Sequence, residues 1–314
     1  MAARTFIAAL LCALLSAALP AAAQQQTRYP LSVVDDQGNT VVLPALPRRI
    51  ISLTLPTDEI LLSLVDKSRL LGVTTFSADP AVSNVADQVT DIPNKLTLNP
   101  ETIISLAPDL VFAANWNDSG AVKLLRDAHI PLYLMANGLT VAAIEKKIET
   151  VALIVGSPEK GREIIATMEA RLAAVADRVS KIPPEKRARV IDYATWGSAQ
   201  GPGSSWDEII RRAGLVDAVA AFTPDEWGQV PISREKILQL DPDILILPGW
   251  EYGNPRGAAE FFSQVTGDPG LRGLKAVRSR KVYMMPERLK SSTSQYFAAA
   301  VEWLAKTAYP DLFR

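Results

Sequence analysis

The sequence predicts an α/β protein made of two Rossmann-like lobes joined by a single long α-helix, with a ligand cleft between the lobes. Three observations predict it. The first is an internal repeat: residues 99–116 read NPETIISLAPDLVFAANW and residues 233–250 read SREKILQLDPDILILPGW. Aligned without a gap, Glu101 meets Glu235, Ile103 meets Ile237, Leu106 meets Leu240, Pro108-Asp109 meets Pro242-Asp243, and Trp116 meets Trp250. Such a pair marks one supersecondary unit used twice. The second is an alternation of short apolar runs with helical patterns, which implies βαβ units and a parallel sheet. The third is one uninterrupted helical pattern lying between the two copies.

Each copy of the repeat decodes in the same way. Ile103, Ile104 and Leu106, or Ile237, Leu238 and Leu240, fit one face of a short helix that proline stops. The apolar run that follows is too uniform for a half-exposed strand, so it reads as a strand of a parallel sheet buried on both faces. In open α/β sheets the ligand crevice lies beyond the carboxyl ends of the strands. Trp116 and Trp250 fall there, one from each lobe.

The elements follow in order. Residues 1–23 read as a signal peptide: Arg4 is the positive flank, residues 6–19 the apolar stretch, and Ala21-Ala22-Ala23 the cleavage site, so the mature chain starts at Gln24. Cys12 lies inside this segment after Leu11, which argues against lipid attachment and leaves the mature protein without cysteine. The N-terminal lobe spans 24–157. It opens with a hairpin, 31–34 and 40–43, around Asp35-Asp36-Gln37-Gly38-Asn39, and continues with strands at 49–53, 70–73, 110–113 and 132–135. Thr140 caps a helix that carries Ile144, Ile148, Val151 and Val155 and ends at Gly156. Ser157-Pro158-Glu159 then opens the interlobe helix, 158–182, as N-cap, first-turn proline and first-turn acid. At 1.5 Å per residue it is a rod of roughly 36 Å, stiff enough to oppose wide hinge closure. The C-terminal lobe, 183–314, has strands at 189–193, 244–247 and 281–284 and helices at 206–213 and 297–308, with Gly214 suited to a C-cap.

Composition bounds the chemistry. The net charge is −1 and the isoelectric point about 6.0, with no basic cluster suited to a phosphate backbone, which argues against a nucleic-acid partner. His129 is the one histidine. With no second histidine and no mature cysteine, a zinc or copper site of ordinary type lacks ligands, and a Ser-His-Asp site lacks its G-x-S-x-G elbow. No catalytic set emerges, and the expectation is a protein that is not an enzyme and needs no cofactor. The Gly201–Trp206 segment, GPGSSW, matches neither a Walker loop nor a dinucleotide fingerprint; it reads as a loop in which Ser204 or Ser205 can meet a ligand.

What the strand ends offer is aromatic. Phe76, Trp116, Trp196, Trp250 and Tyr252 follow predicted strands, and Trp227 lies in the loop before the second repeat. A cleft lined in this way suits a large, partly apolar, planar or ring-shaped ligand.

At this point the chain resembles the periplasmic solute-binding proteins of ABC importers for metal chelates, the group serving ferric siderophores, haem and vitamin B12. The resemblance rests on VVDDQGNTVVLPALPRRIISL at 33–53, LLGVTTFSADP at 70–80, LNPETIISLAPDLVFA at 98–113 and ISREKILQLDPDILIL at 232–247, in family order. It implies a periplasmic monomer that hands a metal chelate to an inner-membrane permease, a ferric siderophore first and a corrinoid close behind. It also implies that Glu101 and Glu235 dock onto permease arginines, and that Phe76 and Trp227 stand near the aromatic contacts of the vitamin B12 members. Two additional residues between Trp227 and Glu235 depart from those members. A haem ligand would look to Tyr193 or Tyr252, and an acidic siderophore to Arg288 and Lys290.

Overall fold

The computed structural model describes residues 27–290 and 292–314; the signal-peptide reading of 1–23 lies outside them. Thirteen strands are labelled in chain order: β1 Leu31–Val34, β2 Thr40–Leu43, β3 Ile50–Ser52, β4 Leu70–Thr74, β5 Asn94–Leu96, β6 Leu110–Ala114, β7 Leu132–Met135, β8 Arg189–Asp192, β9 Ser198–Gln200, β10 Val216–Asp217, β11 Gln229–Pro231, β12 Ile244–Pro248 and β13 Val282–Met285. The opening hairpin pairs β1 with β2, antiparallel. A five-stranded parallel sheet follows in the order β5-β4-β3-β6-β7, and a four-stranded parallel sheet in the order β10-β8-β12-β13. The two strands of the internal repeat, β6 and β12, are interior strands of the two sheets.

Uniform apolarity in these strands has a direct cause. Successive residues point to opposite faces, and both faces are covered. In β6, Leu110 and Phe112 enter one core while Val111 and Ala113 enter another; in β12, Ile244 and Ile246 enter the first core while Leu245 and Leu247 enter a third. One core is therefore shared by the two sheets. Leucine, isoleucine and valine serve on both faces because neither meets water.

The shared core is built on the helix between the lobes. It runs Pro158–Val179, 22 residues, or about 33 Å, and stops three residues short of the expected end because the chain must leave helical geometry ahead of Pro183. Ser157 occupies the N-cap position, yet its side chain makes no capping hydrogen bond; Gly161 N–H bonds its carbonyl instead. Met168, Leu172, Val175 and Val179 pack with Ile144, Ile148 and Val151 of the first lobe and with Phe297, Val301 and Leu304 of the second. Arg171 adds an ion pair to Glu302 at 2.5 Å. A connector embedded in a core common to both lobes should permit only a modest rotation on ligand binding. Small-angle scattering with and without ligand checks this: the radius of gyration should change little, and a large fall would contradict it.

Both repeat helices, Pro100–Ser105 and Arg234–Leu240, begin on the expected caps, Asn99 accepting from Thr102 N–H at 2.9 Å and Ser233 from Lys236 N–H at 3.1 Å. Their ends differ from expectation. Before either proline, Ala107 (φ 46°) and Asp241 (φ 39°), equivalent in the repeat, turn the chain through the left-handed region. The symmetry also extends upstream. Asp109 accepts Arg48 N–H and Arg49 N–H at 2.7 and 2.9 Å, and Asp243 accepts Arg189 N–H at 2.8 Å, while the guanidiniums of Arg49 and Arg189 cap the helix carbonyls Leu106 O and Leu240 O. Each acid thus ties its strand to the neighbouring one. Asp241 has compensation, since its carboxylate accepts Lys275 N–H at 2.8 Å, whereas Ala107 has only the steric cost of a left-handed residue. Ala107→Gly should therefore raise stability by roughly 1 kcal/mol; unchanged or lower stability in urea denaturation would show that the turn carries no such cost.

The strands the sequence did not announce are the short ones. Residues of β5 (NKL) carry two polar groups, β10 has two residues, and β9 and β11 form a separate antiparallel ribbon. Thr140 caps Val141–Ile154 as expected, accepting from Ala143 N–H at 3.2 Å, and Gly214 (φ +77°) follows the Ser205–Arg212 helix in the conformation a C-terminal turn requires.

Candidate functional site

The carboxyl ends of the two sheets face a common cleft. Its inner hollow, about 460 Å³, is lined from the first lobe by residues including Thr54, Glu59, Thr74, Phe76 and Trp116, and from the second by Gln200, Ser205, Arg288, Ser292 and Thr293. A second hollow, about 760 Å³, adjoins it across Phe76 and is walled by Trp250, Glu251 and Tyr252 on the opposite side. Phe76 sits in the turn after β4, Trp116 after β6, and Trp250 after β12, so the strand-end geometry brings them together. Phe76 and Tyr252 face each other across the cleft with ring centroids 6.4 Å apart, and Tyr252 meets Trp250 edge-on at 5.9 Å.

Exposure separates these aromatics from the core. Trp116 is 58 % exposed, Phe76 46 % and Tyr252 78 %, while Trp206 is fully buried. Trp196, after β8, and Trp227, in the turn before β11, are also exposed, but they line neither hollow. Of the two cationic candidates, Arg288 lines the inner hollow. Lys290 does not: it is buried and paired with Asp192 at 3.0 Å. Tyr193 packs on Phe261 and lines neither hollow. Ser204 caps its helix, accepting from Asp207 N–H at 3.2 Å, and Ser205 is the serine at the cleft. His129 is exposed, with Nδ1 2.8 Å from Asp127 O.

Glu101 and Glu235 are exposed, each in the first turn of its repeat helix. The Glu235 carboxyl lies below its ordinary range because its own backbone N–H and the Ser233 side chain hydrogen-bond it. Neither acid lines the cleft hollows.

The acids at the back of the cleft escaped the sequence reading. Asp58 and Glu59 lie on the helix Leu55–Leu64, which starts where β3 ends. Their one signal in the sequence is position: the segment SLTLPTDE follows the strand expected at 49–53, at the end of the sheet where an open α/β fold puts its ligand crevice. Asp58 is fully buried and accepts Thr74 N–H and Oγ–H at 3.0 and 2.9 Å. Burial pushes its carboxyl up to about 8, against the pull of hydrogen bonds from Ser52 and Thr74 and with a further push from Glu59. Its Oδ1 has no hydrogen-bond partner among the described residues, so an ionised form would leave that oxygen buried without a donor.

This acid fixes the sign of a pH effect. An unfolded aspartate titrates near 4 and the folded one at about 8, so between these values the native state holds a proton the unfolded chain has lost. Stability should therefore fall as pH rises from about 4 to about 8. Asp58→Asn, which keeps an acceptor for Thr74 and has no charge to bury, should remove a part of that fall on the order of a few kcal/mol. Denaturant unfolding of both proteins at pH 5 and pH 8.5 reads it; identical pH slopes would show that Asp58 is not the buried acid responsible.

A two-sheet α/β molecule with its crevice between lobes and a helix packed in their shared core is a solute-binding architecture. The chain belongs to the periplasmic binding protein family, which matches residues 50–289 and consists of the solute-binding components of ABC importers. An uncharacterized ABC transporter substrate-binding lipoprotein, YvrC of Bacillus subtilis, is 24 % identical over 299 residues, covering 93 % of this chain and 90 % of the relative. The molybdate-binding protein MolA of Haemophilus influenzae is 26 % identical over 287 residues (82 % and 76 %), and a cobalamin-binding protein of Halobacterium salinarum is 25 % identical over 224 residues (71 % and 60 %). The solved structure of MolA bound to molybdate superposes with a TM-score of 0.74 at 22 % identity, covering 90 % of this chain and 92 % of that one.

Proposed function

We propose that this is an exported, periplasmic protein that captures a bulky metal chelate of low net charge and delivers it to the permease of an inner-membrane ABC importer. A ferric siderophore of the neutral hydroxamate kind is the first candidate. The observation that carries this reading is the make-up of the cleft. Phe76, Trp116 and Tyr252 present exposed rings beside the half-buried Trp250, and the two hollows together bear one cation, Arg288, against the carboxylates Asp79 and Glu251 and a third acid, Glu59, whose carboxyl burial pushes upward. A polyanionic chelate would meet more repulsion than attraction there, whereas a neutral chelate finds stacking surfaces and hydrogen-bonding groups. With Lys290 committed to Asp192, the acidic siderophores lose one of the two cations they would have used.

A corrinoid is the second reading. The amides Asn117, Asn137 and Gln200 line the inner hollow and suit the carboxamide arms of such a ring, and a cobalamin-binding relative stands among the similar proteins. Molybdate, the cargo in the name of another relative, is a compact dianion that would leave the aromatic wall unused.

The protein purified from its native host should carry its ligand. Absorbance and mass spectrometry of the released small molecules should give an iron or cobalt chelate near one per chain. Recovery of molybdate, or of a metal-free organic solute, would overturn the chelate reading.

A further inference from the structure

The buried acid Glu59 does more than border the cleft. Its side chain is 2 % exposed, and its acceptors are matched by neutral donors from both lobes. Asn84 Nδ2–H and N–H bond Oε1 at 2.8 and 3.1 Å, and Ser294 Oγ–H bonds Oε2. The same Asn84 amide donates to Arg288 O at 2.7 Å, and Arg288 N–H donates to Ala81 O at 3.2 Å. Gln295 Nε2–H reaches the Glu59 carbonyl at 2.8 Å. Residues 288–290 and 292–295 are thus tied to the first lobe, the former through Asn84 and Ala81 and the latter through Glu59, and three of them, Arg288, Ser292 and Thr293, line the inner hollow. On its own lobe it is anchored by the Lys290–Asp192 pair.

We propose that Glu59 is the positioning residue of the ligand site: through Asn84 and Ser294 it fixes the segment that presents Arg288, Ser292 and Thr293 to the ligand. The inference rests on the reading that the cleft is where ligand binds. The bridge needs a group that accepts from Asn84 on one atom and meets Ser294 on the other. Glutamine can do both, since its carbonyl accepts from Asn84 and its amide can donate to the Ser294 hydroxyl, which accepts as readily as it donates. Leucine can do neither: it would leave Asn84 N–H without its acceptor, the Asn84 amide with Arg288 O alone and the Ser294 hydroxyl with only Ser292 Oγ, 3.3 Å away.

The experiment compares the full chain with Glu59→Gln, Glu59→Leu and Asn84→Ala. Two quantities are read: the rate of tryptic cleavage after Arg288 in the ligand-free protein, and the Kd for ferrioxamine B and for cyanocobalamin. Glu59→Leu should speed cleavage and raise the Kd of whichever chelate binds, each at least tenfold, while Glu59→Gln stays within threefold of wild type in both. Asn84→Ala, which removes the middle link, should move both quantities in the direction of the leucine variant and serves if that variant does not fold. The proposal is overturned if Glu59→Leu and Asn84→Ala both leave cleavage and Kd unchanged, or if glutamine is as damaging as leucine, which would assign the effect to charge. If neither chelate binds wild type, the ligand reading falls, and the cleavage contrast alone still decides whether Glu59 holds the segment.

Discussion

Reversing both repeat acids, Glu101→Lys with Glu235→Lys, should abolish uptake in cells while leaving the Kd of the purified protein within a factor of about two. The two glutamates occupy equivalent first-turn positions in a unit that the chain uses twice, and both are exposed. A partner that contacts both lobes would meet the same carboxylate at each. Facing arginines on the permease, the reversed pair would turn attraction into repulsion costing several kcal/mol, and the loss should appear mainly as slower association. Neither side chain lines the hollows, so binding in solution should not register the change. The alternative role, support of a helix N-terminus through its dipole, is worth about 0.3–1 kcal/mol per helix and would lower stability slightly while sparing uptake. Transport of labelled chelate, measured beside expression level and melting temperature, separates the two. Normal uptake by the double variant would remove these acids from the docking surface.

Truncating Trp116 to alanine should weaken ligand binding by roughly 1 to 3 kcal/mol, the range for losing an aromatic anchor, with little change in the melting temperature of the ligand-free protein. Trp116 is more than half exposed, so its removal opens no cavity in a core. Trp206, fully buried, is the internal contrast: Trp206→Ala should cost about 3 to 5 kcal/mol of stability. A fall of many degrees on Trp116→Ala would place that side chain in the packing instead.

What could be read from residue order, and what could not, divides along physical lines. The internal repeat announced two sheets because strands buried on both faces leave an unbroken apolar signature, as in LVFAA and ILILP. The interlobe helix was visible through its proline and its apolar period. Short polar strands such as Asn94–Leu96 were not, because a three-residue segment held by its neighbours carries no period of its own. At the site, strand-end aromatics were legible as residue types, but sequence cannot say which loops converge. Phe76, Trp116, Trp250, Tyr252 and Arg288 line the hollows; Trp196 and Trp227 sit on loops beside the β9–β11 ribbon and do not. Glu59 was hidden for a different reason. Its partners Asn84, Ser294 and Gln295 are distant in the chain, and nothing local distinguishes it from any other helical acid, the first-turn acid of this helix being Asp58.

Whether this cleft binds a bulky, weakly charged chelate and returns it unaltered decides the proposed function. Titration of the ligand-free protein with ferrioxamine B, cyanocobalamin and molybdate, followed by tryptophan emission, measures it. Trp116 and Trp250 border the hollows, so at least one coloured chelate should quench emission saturably at one per chain and be recovered chemically unchanged, while molybdate should produce neither quenching nor thermal protection. Saturable binding of molybdate alone, or conversion of a bound chelate to product, would contradict the account.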